Sequence, residues 1–298
     1  MKFRNIIICG GATGIGYWFG NFLRKQLLAS QSELFLYDLD RSIELNKSSL
    51  ASVFNDNVLS PSHFTITIEP TDLLVIAVPV NQVEELCKTL LNIHGSTEKA
   101  LPCHVVNLCS VQRVSKQSIL ALLQPLTYLG IHLLFGPEIN TYQNNTIVLV
   151  NDEDTPHHAQ SWSDNFKQQG FTIIQTNADD HDRTMHHVQV AIHFLYFGLA
   201  EYLKDQKVSI QWITPFLTPI ARAYLSSVAH TLLQTKQTYA NIQAQQGAQQ
   251  TREQVLASLH TCAQAISQPT DAMVTYLEQL SDYFPREDLL KLQKLFKQ

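Results

Sequence analysis

Apolar residues in the first half of the chain come in short runs, separated by stretches in which they recur every three or four positions. The runs predict strands at Asn5–Cys9, Glu33–Tyr37, Phe64–Ile68, Leu73–Val78, His104–Cys109, Thr127–His132, Thr146–Val150 and Phe171–Gln175. Between them, Val83, Leu86, Cys87, Leu90 and Leu91 fall at helical spacing, and Ser115–Leu123 and His157–Gln169 read as further crossover helices. Several runs are apolar on both faces, as strands buried in a parallel sheet are. Residues 1–177 therefore read as an open α/β sheet of Rossmann-like type.

After Asn177 the strand pattern stops. One long helical pattern covers Asp180 to Leu203, with Met185, Val188, Ile192, Leu195, Leu199 and Leu203 on one stripe. More helix follows from Ser209, where Pro215 and Pro219 should kink or restart it. Gln234–Gln254 is rich in glutamine and reads as a linker or as a solvated helix anchored by Tyr239 and Ile242. Residues 178–298 are expected to form an all-α domain that buries its apolar surface against a twin, giving a homodimer.

Composition narrows the functional classes. At 298 residues the chain suits two domains, and 45% hydrophobic with 16% charged residues is a globular balance. A formal net charge of −5 supplies no basic field for a phosphate backbone, so nucleic acid is not the expected partner. The longest apolar run, Leu73–Val80, is too short for a membrane span, and Ile6–Cys9 is too short for a signal-peptide core. Five scattered cysteines without CxxC spacing suit free thiols in a reducing cytoplasm. No metal is expected: His157-His158 and His186-His187 stand without an HExxH or acid-plus-His cluster.

The first strand runs into Gly10-Gly11-Ala12-Thr13-Gly14-Ile15-Gly16 and then an apolar helix. Such a turn is where a dinucleotide pyrophosphate meets backbone N–H groups and a helix N-terminus. Gly11, Thr13, Gly14, Ile15 and Gly16 are the candidate contacts. The second strand ends in Asp38, 22 residues beyond Gly16, where a carboxylate holds the adenosine ribose. Asp38 repels a ribose 2′-phosphate, which favours NAD over NADP, and the neighbouring Arg41 softens that preference. The spacing Gly10-x-x-x-Gly14-x-Gly16 also fits short-chain dehydrogenases, but none of the ten tyrosines has a lysine four residues on.

Hydride transfer from an alcohol needs a base for the hydroxyl proton, and open α/β sheets gather such groups at the carboxyl ends of their strands. Ser110 follows the strand His104–Cys109, and His132 ends Thr127–His132, just before Phe135-Gly136-Pro137. A neutral histidine can take the proton and a serine hydroxyl can orient the same oxygen. On the long helix Asp182, His186, Gln189 and His193 recur as a polar stripe beside the apolar one. That stripe is either a wet face or one partly enclosed by Phe194 and Phe197.

Together these residues resemble the prephenate/arogenate dehydrogenase family. The likeness rests on the glycine turn, Ala77-Val78-Pro79, Cys109-Ser110-Val111, Gly130-Ile131-His132 through Phe135-Gly136-Pro137, and His181-Asp182 through Gln189 and His193-Phe194. It implies that Val78 and Pro79 border the cofactor and that His132 is the catalytic acceptor for the ring hydroxyl, which Ser110 hydrogen-bonds. It further implies that Gln189 and His193 line the substrate site and that the helical domain forms a dimer. The reaction implied is NAD-dependent oxidative decarboxylation of prephenate to 4-hydroxyphenylpyruvate.

The departures are specific. Where the family has Asp and then Ser-Val-Lys, this chain has Asn107 and Ser110-Val111-Gln112; His-Pro-Met reads His132-Leu133-Leu134; and the middle glycine is Thr13. The carboxylate-binding arginine falls at His230, with Arg222 eight residues earlier as the remaining candidate. Two other readings stay open: a dehydrogenase of another cyclohexadienol, such as arogenate or an amino-deoxy analogue, and a nucleotide-binding regulator without catalysis.

Overall fold

The computed structural model describes residues 3–27, 32–47, 50, 57–61, 64, 67–94, 100–151 and 156–296. Among these, eight strands form one sheet: β1 (Asn5–Cys9), β2 (Glu33–Tyr37), β3 (Val58–Leu59), β4 (Leu73–Ile76), β5 (His104–Asn107), β6 (Thr127–Leu133), β7 (Thr146–Val150) and β8 (Thr172–Thr176). Their order is β3-β2-β1-β4-β5-β6-β7-β8, and every neighbouring pair is parallel except β6 with β7. From β1 the chain winds first outward through β2 and then back to β4 on the other side. This reversal opens a crevice outside the carboxyl ends of β1 and β4.

The strand expected at Phe64–Ile68 does not form. Phe64, Thr67 and Ile68 have no regular structure, residues 65 and 66 lie outside the described ones, and Val58–Leu59 pairs with Leu36 and Tyr37 instead. The apolar residues there serve packing: Ile68 is buried, and the Phe64 ring meets Tyr37 edge-on at 5.3 Å.

Helices cover both faces, as a sheet apolar on both sides requires. One apolar layer joins the sheet to α1 (Gly14–Leu27) through Phe19, Phe22 and Leu23, and to Trp162 and Phe166 of a helix at Pro156–Gln168. The other joins it to Val83, Leu86 and Leu90 of Val83–His94 and to Ile119 and Leu123 of Gln112–Leu123. Each fully buried side chain of this size stabilises the fold by about 1.5–3 kcal/mol. Beyond β6 the chain is clamped by aromatic rings, with Phe135 lying 5.0 Å from Trp18 and 5.7 Å from Phe171. His132, three residues earlier, is thereby fixed.

From Ala178 onward the described residues are helical: Ala178–Met185, a π turn at His186–Ala191, Ile192–Asp205, Ile210–Ile213, Pro219–Leu233, Lys236–Ala244, Ala248–Ile266, Thr270–Tyr283 and Arg286–Phe296. The helix expected over Asp180 to Leu203 runs without a break from Ala178 to Asp205, but its single apolar stripe is corrected. The wider π turn shifts the inward face within and after it, leaving Val188 and Ile192 exposed and burying Val190 instead. Pro215 sits in a short 3₁₀ turn, and Pro219 starts a new helix behind its Thr218 cap, so Arg222 and His230 share one uninterrupted helix. The glutamine-rich stretch is two helices broken at Gly247, whose φ of +84° a side chain would disfavour. No helix among the described residues is long and apolar enough to cross a membrane.

Candidate active site

The glycine turn leaves β1 by curling against the end of β4. A Cβ on Gly10 would lie 2.6 Å from the Ala77 carbonyl oxygen, and one on Gly16 would lie 2.1 Å from that of Gly10. Gly11 is buried against Leu36, whereas Gly14 faces open space at the first turn of α1. Thr13 is exposed, and its carbonyl accepts the Tyr17 N–H at 3.2 Å, so its side chain displaces nothing in the turn. Ile15 is half-buried on the core. Asp38 ends β2 with one oxygen accepting the Ala12 N–H at 2.9 Å and the other the Leu39 N–H at 2.8 Å. Each oxygen keeps a lone pair for a further donor. Val78 touches the site from the end of β4, and exposed Pro79 follows it. The cradle therefore fits a dinucleotide: close packing where a backbone must approach, and open N–H groups at the helix start.

His132 lies buried near the carboxyl end of β6, beside the end of β5 that leads into Ser110. Its Nδ1 is 2.8 Å from His181 Nε2, and His181 Nδ1 is 2.7 Å from Asp182 Oδ1. The Asp182 carboxylate in turn accepts the backbone N–H groups of Gln112 and Arg113, each at 2.9 Å, at the N-terminus of the Gln112–Leu123 helix. Burial, then the charge of His181, push the His132 pKa down to about 3, against the opposing pull of Asp182. Burial alone would raise Asp182, but the bonds from His181, Gln112 and Arg113 outweigh it and hold the carboxyl below its usual range. Ser110 is half-buried and makes no side-chain hydrogen bond among the described residues, which leaves its hydroxyl available. His181 is visible in the sequence only within the segment that resembles the family, and Asp182 only as part of a polar stripe. The local signal is Asn177, whose side chain caps the Asp180 N–H at 2.8 Å and so starts the helix at Ala178.

Two departures from the family pattern meet in space. Asn107 and Gln112 are both fully buried and 3.3 Å apart, and Asn107 also donates to Ser115 Oγ at 2.8 Å and Tyr128 OH at 2.9 Å. Gln112 Nε2 donates to the Cys109 carbonyl at 2.6 Å. A neutral amide pair stands where the family pattern puts opposite charges, inside the core rather than in the crevice.

On the helical side, the π turn carries Gln189 and leads into His193. The polar atoms Gln189 Oε1, His193 Nδ1 and Gln245 Nε2 are buried without a hydrogen-bond partner among the described residues. Burial lowers the His193 pKa, and its ring sits edge-on to Tyr239 at 4.8 Å. Gln243 donates to the Val190 carbonyl at 3.0 Å and accepts from Arg252, which pins the turn. The polar stripe does not hold together: Asp182 turns toward the sheet, and His186 bonds Thr251 at 3.2 Å. The side chains of Arg222 and His230 are both exposed and make no hydrogen bond to the described residues. The side chains of His157 and His158 lie outside the described residues, among which no cluster of metal-ligating side chains occurs.

No family model matches the chain. It is 25% identical over 243 residues to a Methanocaldococcus jannaschii protein named "Probable arogenate/prephenate dehydrogenase", covering 80% of this chain and 51% of that one. It is 27% identical over 170 residues to the T-protein of Enterobacter agglomerans, covering 57% and 43%. The chain thus spans about half the length of the curated relatives it matches. Among solved structures, it overlays the prephenate dehydrogenase of Aquifex aeolicus bound to hydroxyphenyl propionate and NAD⁺ with a TM-score of 0.66 at 17% identity, over 100% and 99% of the two chains. The Synechocystis arogenate dehydrogenase overlays with a TM-score of 0.53 at 15% identity, over 98% and 97%.

Proposed function

We propose that this chain, a divergent relative of the prephenate/arogenate dehydrogenases, is an NAD-dependent dehydrogenase that oxidatively decarboxylates prephenate. The observation that carries the reading is a buried, neutral histidine at the carboxyl end of β6, held by a second histidine and a carboxylate. In this reading His132 takes the hydroxyl proton and Ser110 orients the same oxygen. Gln189 and His193 offer their unpartnered polar atoms to the substrate, which would relieve the cost of burying them. Gly11, Thr13, Gly14, Ile15, Gly16, Val78 and Pro79 would hold NAD, with Asp38 on the adenosine ribose. Bound NAD accepts the hydride.

Of the three departures that favoured a regulator without catalysis, two count for less once placed: Gln112 packs in the core with Asn107, and Thr13 points outward, while the missing arginine at His230 still stands. The proposed division is a nucleotide domain of residues 1–177 and a helical domain of residues 178–298. The helical part exposes Leu233 (85%), Tyr283 (80%) and Phe216 (75%), surface that suits burial against a second copy. The test is NADH formation with prephenate, arogenate and an amino-deoxy analogue in parallel. Turnover of prephenate above the others supports the reading; preference for either analogue moves the substrate, and no turnover of any overturns the enzyme. Calorimetry with NAD and NADP checks Asp38, since equal affinities would mean that its carboxylate does not meet the ribose.

A further inference from the structure

The His132–His181–Asp182 chain fixes where protons sit. Asp182 is an acceptor at both oxygens, so His181 Nδ1 carries the hydrogen between them. In a neutral His181 ring Nε2 is then bare, and at 2.8 Å it accepts from His132 Nδ1–H. His132 Nε2 is left as a lone pair, the form a base requires.

We propose that His181 is a proton store for His132, holding the substrate's hydroxyl proton during hydride loss and returning it to the same oxygen. This rests on the dehydrogenase reading above. As the carbinol C–H bond breaks and hydride goes to a nicotinamide cofactor, the substrate O–H proton moves to His132 Nε2. The His132 Nδ1 proton passes to His181 Nε2. The ring oxygen becomes a carbonyl, and the positive charge comes to rest on His181 against Asp182. When the ring C–CO₂ bond breaks, its electron pair makes the ring aromatic and turns the carbonyl into a phenoxide, which takes the proton back along the same path. One hydride and one CO₂ leave, and no net proton is released. A store for such a cycle needs no exit to solvent, and both histidines are buried. Charge held on His132 itself would be buried and one ring further from the carboxylate. Among the described residues, His181 and Asp182 are the titratable groups that act on His132.

His181→Gln separates storing from positioning, because a glutamine oxygen still accepts from His132 Nδ1–H but takes no charge. The expected kcat is roughly 10- to 100-fold lower, part of a general base's usual contribution, with KM for NAD unchanged. The acid limb of kcat should change, since a coupled pair of bases becomes a single one. Unchanged kcat and acid limb overturn the store while leaving the dehydrogenase intact. If no cyclohexadienol reduces NAD in the wild type, the enzyme reading and the store fall together. Nitrogen-15 NMR of histidine-labelled wild type reads the chain without turnover and without reliance on the variant folding. Protons on Nδ1 of both rings, with both Nε2 atoms bare, support the store. A proton on His132 Nε2 overturns it.

Discussion

The carboxyl edge of the sheet and the helical segment after residue 177 treat their polar groups in opposite ways. At the sheet edge the chain satisfies itself: His132, His181 and Asp182 bond one another and a helix N-terminus, and Asp38 takes two backbone donors. On the helical side Gln189, His193 and Gln245 bury polar atoms without partners among the described residues, and the carboxylate-binding candidates Arg222 and His230 stand in solvent. The relay at the sheet edge is held within the fold, and the Ser110 hydroxyl beside it is left open. The helical side is shaped for something it does not itself contain, since an unpaired buried polar group costs about 1–3 kcal/mol.

The largest effects should come from the self-satisfied half. His132→Asn is expected to lower kcat by roughly 10²–10⁴ with cofactor binding little changed, and near-normal turnover would remove His132 as the base. The same residue should leave a mark on stability against pH. An ordinary histidine gains its proton near about 6.5, whereas His132 does so at about 3. Within that window the unfolded chain binds the extra proton, so stability falls as pH drops from about 6.5 towards 3. Denaturation midpoints at stepped pH should show this slope in the wild type and a shallower one in His132→Asn.

The open half predicts the reverse coupling. Gln189→Leu should stabilise the fold by about 1 kcal/mol, because an unsatisfied polar atom is removed, while raising the substrate KM about tenfold. Loss of stability instead would show that Gln189 has a partner within the fold. Ser110→Ala should lower kcat by less than His132→Asn, since only an orienting bond goes; an equal loss would make the serine a proton carrier. The smallest effect is expected at His230. An arginine there would be exposed, where an ion pair contributes up to about 1 kcal/mol, so KM for a dianionic substrate should fall less than about fivefold. A larger fall would mean that a second copy or the substrate itself encloses residue 230.

The same contrast governs how much was legible in the sequence. The sheet was legible because Leu73–Ile76 and Thr146–Val150 are apolar on both faces, and such a run has few other uses. Phe64–Ile68 misled because its residues pack against the sheet without joining it. The π turn was invisible, since one added residue in a helix has no compositional signature and breaks the stripe only in space. The pairing of Asn107 with Gln112 was equally hidden. Read singly they were two lost charges, and only their 3.3 Å separation makes them one exchange. Asp182 stood out in the stripe, but its acceptance of donors some seventy residues earlier is a tertiary fact that spacing cannot give.

That same carboxylate has a mechanical meaning. The helical segment is joined to the sheet side where Asp182 holds the first turn of Gln112–Leu123, by two charged bonds, one of them partly buried. Elsewhere Asn241 donates to Asn81 across 3.4 Å. Because the same carboxylate also holds His181, any change that frees Asp182 should loosen that join and the histidine pair together.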